Sequence, residues 1–215
     1  MEAPDAALNL VLSPFPDQLA VDMEKAFGIP LFRLHDLYAP GEIAGMYDAI
    51  AARLGIQWGD TFDSGRREAA AFQEQVKSKM EGLRYVCTKI GPYQTLPLAV
   101  YLADLGLEPV LLHLEEFWPG DTVWAKALNK KGWDPLVCHM VNGPADAAVV
   151  DEMSVDICLG ELPGRKAKIP AVPQLSDLYG MTGYERTINL LQKLLCALDG
   201  NGAAQEERSD KRGAI

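Results

Sequence analysis

Residues 81–117 read EGLRYVCTKIGPYQTLPLAVYLADLGLEPVLLHLEEF, and this stretch decides the fold. An apolar run from Leu83 to Thr88 meets Gly91-Pro92. A helical pattern follows, with Leu96, Ala99, Val100 and Ala103 on one face. Leu105-Gly106 closes it, and a second apolar run from Pro109 to Leu114 begins. That is a β-α-β unit. Its strands are apolar almost throughout, as strands covered on both faces of a parallel sheet are. Ligands of such sheets gather beyond the carboxyl ends of the strands. Here that edge carries Ile90 to Gln94 and Leu114 to Trp118.

Outward from this unit, strand and helix keep alternating. Upstream, Ala7 to Leu12 predicts a strand, with Ser13 or Asp17 available to cap the helix that follows. That helix carries Leu19, Ala20, Met23 and Phe27 at helical spacing, and Gly28 stops it. Ile29 to Leu34 predicts a second strand, Pro40-Gly41 a break, and residues 42–54 a helix. Residues 55–65, GIQWGDTFDSG, have the composition of a hinge. A charged helix over 66–80 leads into the β-α-β unit. Downstream, strands are expected at 134–140, 155–159 and 168–172, with helices between. A long helix with a stripe of Tyr184, Ile188, Leu191, Leu194 and Leu195 closes the pattern. The fold class is therefore α/β, a doubly wound parallel sheet over about residues 82–199 preceded by a smaller β-α-β piece. Three regions are expected: a partial Rossmann-like piece at 7–65, a Rossmann-like α/β domain at 66–199, and a polar, disordered tail at 200–215.

Composition narrows the function. The chain has 215 residues and a net charge of −10, which leaves no basic surplus to neutralise nucleic-acid phosphates or anionic lipid. No apolar run is long enough to span a membrane, and the acidic N-terminus lacks a signal peptide's basic start. The expectation is a cytoplasmic protein. The four cysteines, Cys87, Cys138, Cys158 and Cys196, form no CxxC pair. Three fall in expected strands and one in a helix, which reads as buried thiols acting as small hydrophobes.

Common catalytic signatures are absent: no GxGxxG after a strand, no P-loop, no GxSxG and no HExxH. His113 near a strand end, followed by Glu115 and Glu116, could ligate metal or carry protons; the ordinary alternative is a structural histidine beside two solvated acids. Cys138-His139 is a weaker ligand pair, because adjacent strand residues point to opposite faces. No metal-ligating set is assigned from sequence. The turn Ile90-Gly91-Pro92-Tyr93-Gln94-Thr95 leads onto a helix N-terminus, where free N–H groups suit an anion. The segment KIPAVPQLSDLYGMTGY, residues 168–184, presents Gln174, Ser176 and Asp177 at the sheet's carboxyl edge. Gly180 and Gly183 there serve the turn and the close packing of the helix start.

Four stretches in order resemble the later part of a nitrogenase component 1-type subunit. They are LNLVLSPFPDQLAVDMEKAFGIPLF (8–32), EGLRYVCTKIGPYQTLPLAVYLADLGLEPV (81–110), VDICLGELPGRKAKIP (155–170) and LSDLYGMTGYERTINLLQKLL (175–195). The superfamily includes molybdenum–iron protein subunits, cofactor-assembly scaffolds and protochlorophyllide reductase-like enzymes. The resemblance implies an oxidoreductase with stacked Rossmann-like domains that cradle a metallocluster or tetrapyrrole and take electrons from an ATP-dependent partner. It implies cofactor contacts at Ser13, Gly91, Pro92, Tyr93, Gln94, Gln174 and Asp177. The glycine-rich loop over the cofactor falls at Gly91-Pro92-Tyr93-Gln94, changed in detail, and two ligand positions depart from the family. Ser13 stands where a cysteine ligates the nitrogenase cofactor, and Gln174 stands where a histidine does. A hydroxyl and a carboxamide are poor substitutes for thiolate and imidazole. The resemblance also implies an N-terminal cluster-binding domain, which this chain is expected to lack. The expectation is a truncated homologue, a cofactor- or partner-binding subunit without the usual cluster ligands. The alternative is an active reductase that uses Cys87, Cys138 or His113 as new ligands. The expected partner is another nitrogenase-like chain or a second copy, with neither nucleic acid nor membrane.

Overall fold

A computed structural model describes residues 5–88, 94–118, 120–139, 143–162 and 168–200. The tail expected beyond residue 200 and the turn residues Gly91, Pro92 and Tyr93 lie outside the described residues. The chain divides into two compact units. One comprises residues 1–74 with 180–188, the other residues 75–179 with 189–215.

In the first unit, β1 (Asn9–Val11) and β2 (Leu31–Arg33) pair in parallel, with Leu10 opposite Phe32. The crossover between them is α1 (Asp17–Phe27), closed by Gly28 at φ 69°. The helix start differs from the capping expected of Ser13 or Asp17. Pro16 occupies the N-cap position with no side-chain cap. Asp17 is engaged elsewhere: its carboxylate accepts two hydrogen bonds from the Arg33 guanidinium, at 2.5 and 2.9 Å. α2 (Pro40–Leu54) begins at the proline read as a break, because a first-turn proline has no intrahelical N–H to lose. Ile43 of α2, Ala69 of α3 (Asp63–Met80) and Tyr184 of α7 (Tyr184–Leu198) share one apolar cluster with Tyr47 and Phe62. Arg186 is buried beside it. Its guanidinium donates to the carbonyls of Leu34 and His35 and to the Tyr38 hydroxyl, and stacks 4.1 Å from the Tyr38 ring centroid.

The second unit holds a parallel five-stranded sheet. Its strands are β3 (Arg84–Cys87), β4 (Glu108–Leu114), β5 (Leu136–His139), β6 (Ile157–Leu159) and β7 (Ala171–Val172), in the order β5-β4-β3-β6-β7. The chain moves from β3 outward to β5, then returns to the other side of β3 for β6 and β7. That is the doubly wound pattern, with its switch point beside β3. The crossover α4 (Thr95–Asp104) is buried from Thr95 to Leu102, which fits its apolar sequence. α5 (Asp121–Lys130) and α6 (Gly143–Asp151) make the next crossovers. Val86, Leu111, Val150 and Cys158 form a core cluster, with Cys138 packed at its margin. No helix among the described residues is long and apolar enough to cross a membrane.

Candidate functional site

The sheet's carboxyl edge gathers chemistry at one place. His113 and Cys138 are direct register partners across β4 and β5. Paired residues of parallel neighbours project to the same face, so two side chains 25 positions apart in sequence become adjacent. Helix α6, which follows β5, supplies Asp146 from its first turn. One ligand atom from each of His113, Cys138 and Asp146 lies within 4.8 Å of the others. His113 is only 2% exposed. Its Nε2 sits 3.2 Å from Asp146 Oδ2 without the alignment of a hydrogen bond, and its Nδ1 has no partner. The backbone beneath is fixed, since the Thr95 hydroxyl donates to the His113 carbonyl at 3.0 Å.

The electrostatics follow from burial. Desolvation lowers the His113 pKa, against the opposing pull of the Asp146 and Glu115 carboxylates. Burial raises the Cys138 thiol, and the Asp146 charge raises it further. Both shifts favour the uncharged forms, a neutral imidazole and a protonated thiol.

The other sequence candidates separate. Glu115 and Glu116, the acids adjoining His113 in sequence, are exposed, and Asp146 is the carboxylate at the imidazole. His139 faces away from Cys138's partners and stacks on Phe117, ring centroids 6.0 Å apart. Cys87 ends β3 fully buried, and burial pushes its thiol far up. It stands outside the His113 group. Ser13 is half-buried just after β1, where its hydroxyl accepts the Phe15 N–H at 3.4 Å. Gln94 is the N-cap residue of α4. Gln174 is exposed, and its side-chain oxygen accepts the Ser176 hydroxyl at 3.2 Å. Asp177 lies in a single 3-10 turn, Ser176–Leu178. A hydroxyl and an exposed carboxamide do not fit the bonds of an iron–sulfur cofactor.

Asp146 is the member of the group that sequence reading missed. A signal was present. His113 and Cys138 each stand one residue before the end of their strand, so level strand ends pair them. The helix returning from β5 then has to start over the same edge.

The architecture is that of the Rossmann-like domains of nitrogenase component 1. A solved structure described as nitrogenase Cp1 at pH 6.5 aligns with a TM-score of 0.74 at 17% identity, over 92% of this chain and 46% of that one. A second, nitrogenase Cp1 at pH 5, aligns at 0.63 and 16% identity, over 92% of this chain and 48% of that one. The chain thus spans about half the length of the solved chains it matches. No curated protein matches it. The family model for nitrogenase component 1 type oxidoreductase matches residues 1–199, and the chain belongs to that family.

Proposed function

We propose that this chain is a partner-binding subunit of the nitrogenase component 1 type, which docks through its first unit onto another chain of the same superfamily or a second copy of itself. One observation carries this reading. In β1, Val11 points into the unit and is 2% exposed, while its neighbours Leu10 and Leu12 point the other way and are 50% and 48% exposed. Phe15, Leu19 and Phe27, along the turn and helix that follow, are more than half exposed. A parallel β-α-β sheet ordinarily has both faces covered. Among the described residues, Leu10 and Leu12 stand about half exposed on the side of this two-stranded sheet opposite Val11.

The size of the effect is adequate. Burying a Leu or Phe side chain fully is worth about 1.5–3 kcal/mol, so finishing five half-exposed ones supplies on the order of 5 kcal/mol. Ser13, two residues beyond the same strand, belongs in this reading as a contact residue. Gln94, Gln174 and Asp177 are proposed as ligand contacts on the second unit, none of them bonding a metal.

The test is sedimentation velocity on the full chain, alone and co-expressed with a full-length family member. The expected result is a dimer or a stable heteromeric complex. Leu10→Asp with Leu19→Asp should dissociate it while the far-ultraviolet dichroism stays unchanged. A wild-type chain that remains monomeric in both experiments overturns the proposal.

A further inference from the structure

We infer that His113, Cys138 and Asp146 form a binding site for a divalent transition ion of the zinc class, separate from any cofactor of the nitrogenase family. Three independent features point to it. The donor set is one imidazole nitrogen, one sulfur and one carboxylate oxygen, the types that zinc, iron(II) and cobalt(II) accept together and that magnesium or calcium do not. The donors already converge within 4.8 Å. A tetrahedral ion with bonds of about 2.0–2.3 Å holds its donors about 3.3–3.8 Å apart, so closure takes a shift of roughly 1 Å in the widest pair.

The third feature is the imidazole itself. A 2%-exposed imidazole whose Nε2 faces a carboxylate without an aligned hydrogen bond is expensive to bury for packing alone. Leaving a buried polar group unsatisfied costs about 1–3 kcal/mol. An ion between His113 and Asp146 would satisfy Nε2 and hold the carboxylate at the same time.

The scaffold suits the task. Two of the ligands come from paired strands and the third from the crossover helix that joins their sheet to β6, so none hangs on a long loop. Binding forms a metal–sulfur bond at Cys138 and releases its thiol proton to solvent; no oxidation state changes. Three protein ligands leave a fourth position for water or for an incoming oxygen or nitrogen donor, the pattern of reactive rather than purely structural zinc sites. Cys138 and Asp146 are the partly exposed members and so mark the open side, opposite the buried His113.

The experiment uses the full chain, reduced, stripped with chelator and titrated with Zn²⁺ and Co²⁺ under anaerobic conditions. The expected result is one equivalent bound per chain, with a Co²⁺ spectrum showing a thiolate charge-transfer band and tetrahedral visible bands. Cys138→Ser should lose the charge-transfer band, and Asp146→Asn should weaken Zn²⁺ affinity at least tenfold. Both should keep the wild-type circular dichroism. Excess Mg²⁺ should not compete. Three results would overturn the site: no stoichiometric binding by folded wild-type protein, a charge-transfer band that survives in Cys138→Ser, or displacement of the ion by Mg²⁺. The readout is independent of oligomeric state, so failure of the docking reading leaves this test intact.

Discussion

Replacing Gly183 by alanine should be far more damaging than the same change at Gly180, three residues away. Both glycines have a positive φ, 75° and 80°. An alanine in that region costs about 1–2 kcal/mol at either place. Space separates them. A Cβ on Gly180 meets nothing within 4 Å, whereas one on Gly183 overlaps the Tyr47 hydroxyl oxygen. That hydroxyl cannot swing away cheaply. The Tyr47 ring lies 4.5 Å from Phe62 and sits edge-on to Tyr184 at 5.7 Å, and the Tyr47 carbonyl accepts the Trp58 indole N–H. Overpacking of this kind costs about 1–3 kcal/mol, so Gly183→Ala should lose about 2–5 kcal/mol in all. Urea unfolding followed by dichroism measures it; with a slope of about 1–3 kcal/mol per molar, the midpoint should fall by about 0.7 M or more. Tyr47→Phe supplies the control. It removes the clashing oxygen and leaves Cζ as the next atom, 3.4 Å away, an ordinary contact. In that background Gly183→Ala should cost no more than Gly180→Ala. Equal losses at the two glycines in wild type, or no rescue by Tyr47→Phe, would refute the packing argument.

Arg186→Lys should destabilise the first unit by on the order of 3 kcal/mol in the same assay, because an ammonium cannot reach two carbonyls and a hydroxyl while stacking on Tyr38. His35 should make stability depend on pH. Its pKa is lowered by burial, with Asp36 and Asp17 opposing and Arg186 and Arg33 reinforcing. The unfolded chain therefore takes up the proton first, and stability present above the ordinary value of 6.5 should fall as pH drops below it. His35→Gln should reduce the slope of unfolding midpoints measured between pH 7.5 and 5.5 (about the range over which histidine titrates), leaving the part that His113 supplies, and an unchanged slope would count against the assignment. Thr95→Val should cost about 1 kcal/mol through the lost hydrogen bond to the His113 carbonyl, read as a shift in melting temperature.

Much of the fold was legible because burial writes itself into strands. β3, β4 and β6 are apolar at nearly every position, and the helices between them carry a stripe or, in α4, a full apolar surface. The helix boundaries were less legible. Pro40 can begin a helix as readily as interrupt one, and Asp17 had two competing uses, a cap or an ion pair, of which Arg33 decided the outcome. Along α1 the periodicity marked Leu19 and Phe27, yet only Ala20 is buried there; period reports which residues share a face, not what covers it. In α7 the stripe found Leu191 and Leu194 but passed over Thr187 and Arg186, whose burial depends on carbonyl and ring partners more than 140 residues earlier. The His113 group was half visible. Two of its members were picked as possible ligands, but local sequence carries no information about strand register, and Asp146 looked like any acid near a helix start.

β5 is the terminal strand of its sheet, paired among the described residues with β4 alone, and its Leu136 and Val137 are about half exposed. An outer strand of this kind is the part of a sheet that opens first, since fewer contacts must break to release it. Cys138 rides on that strand while His113 sits on its better-protected neighbour. The lifetime of the pairing between them is therefore set by amide opening at residues 136–139, and that opening would admit or release whatever the group holds. Deuterium uptake along β5 should then be a direct clock for exchange at the group, slowing when an ion pins the two strands together.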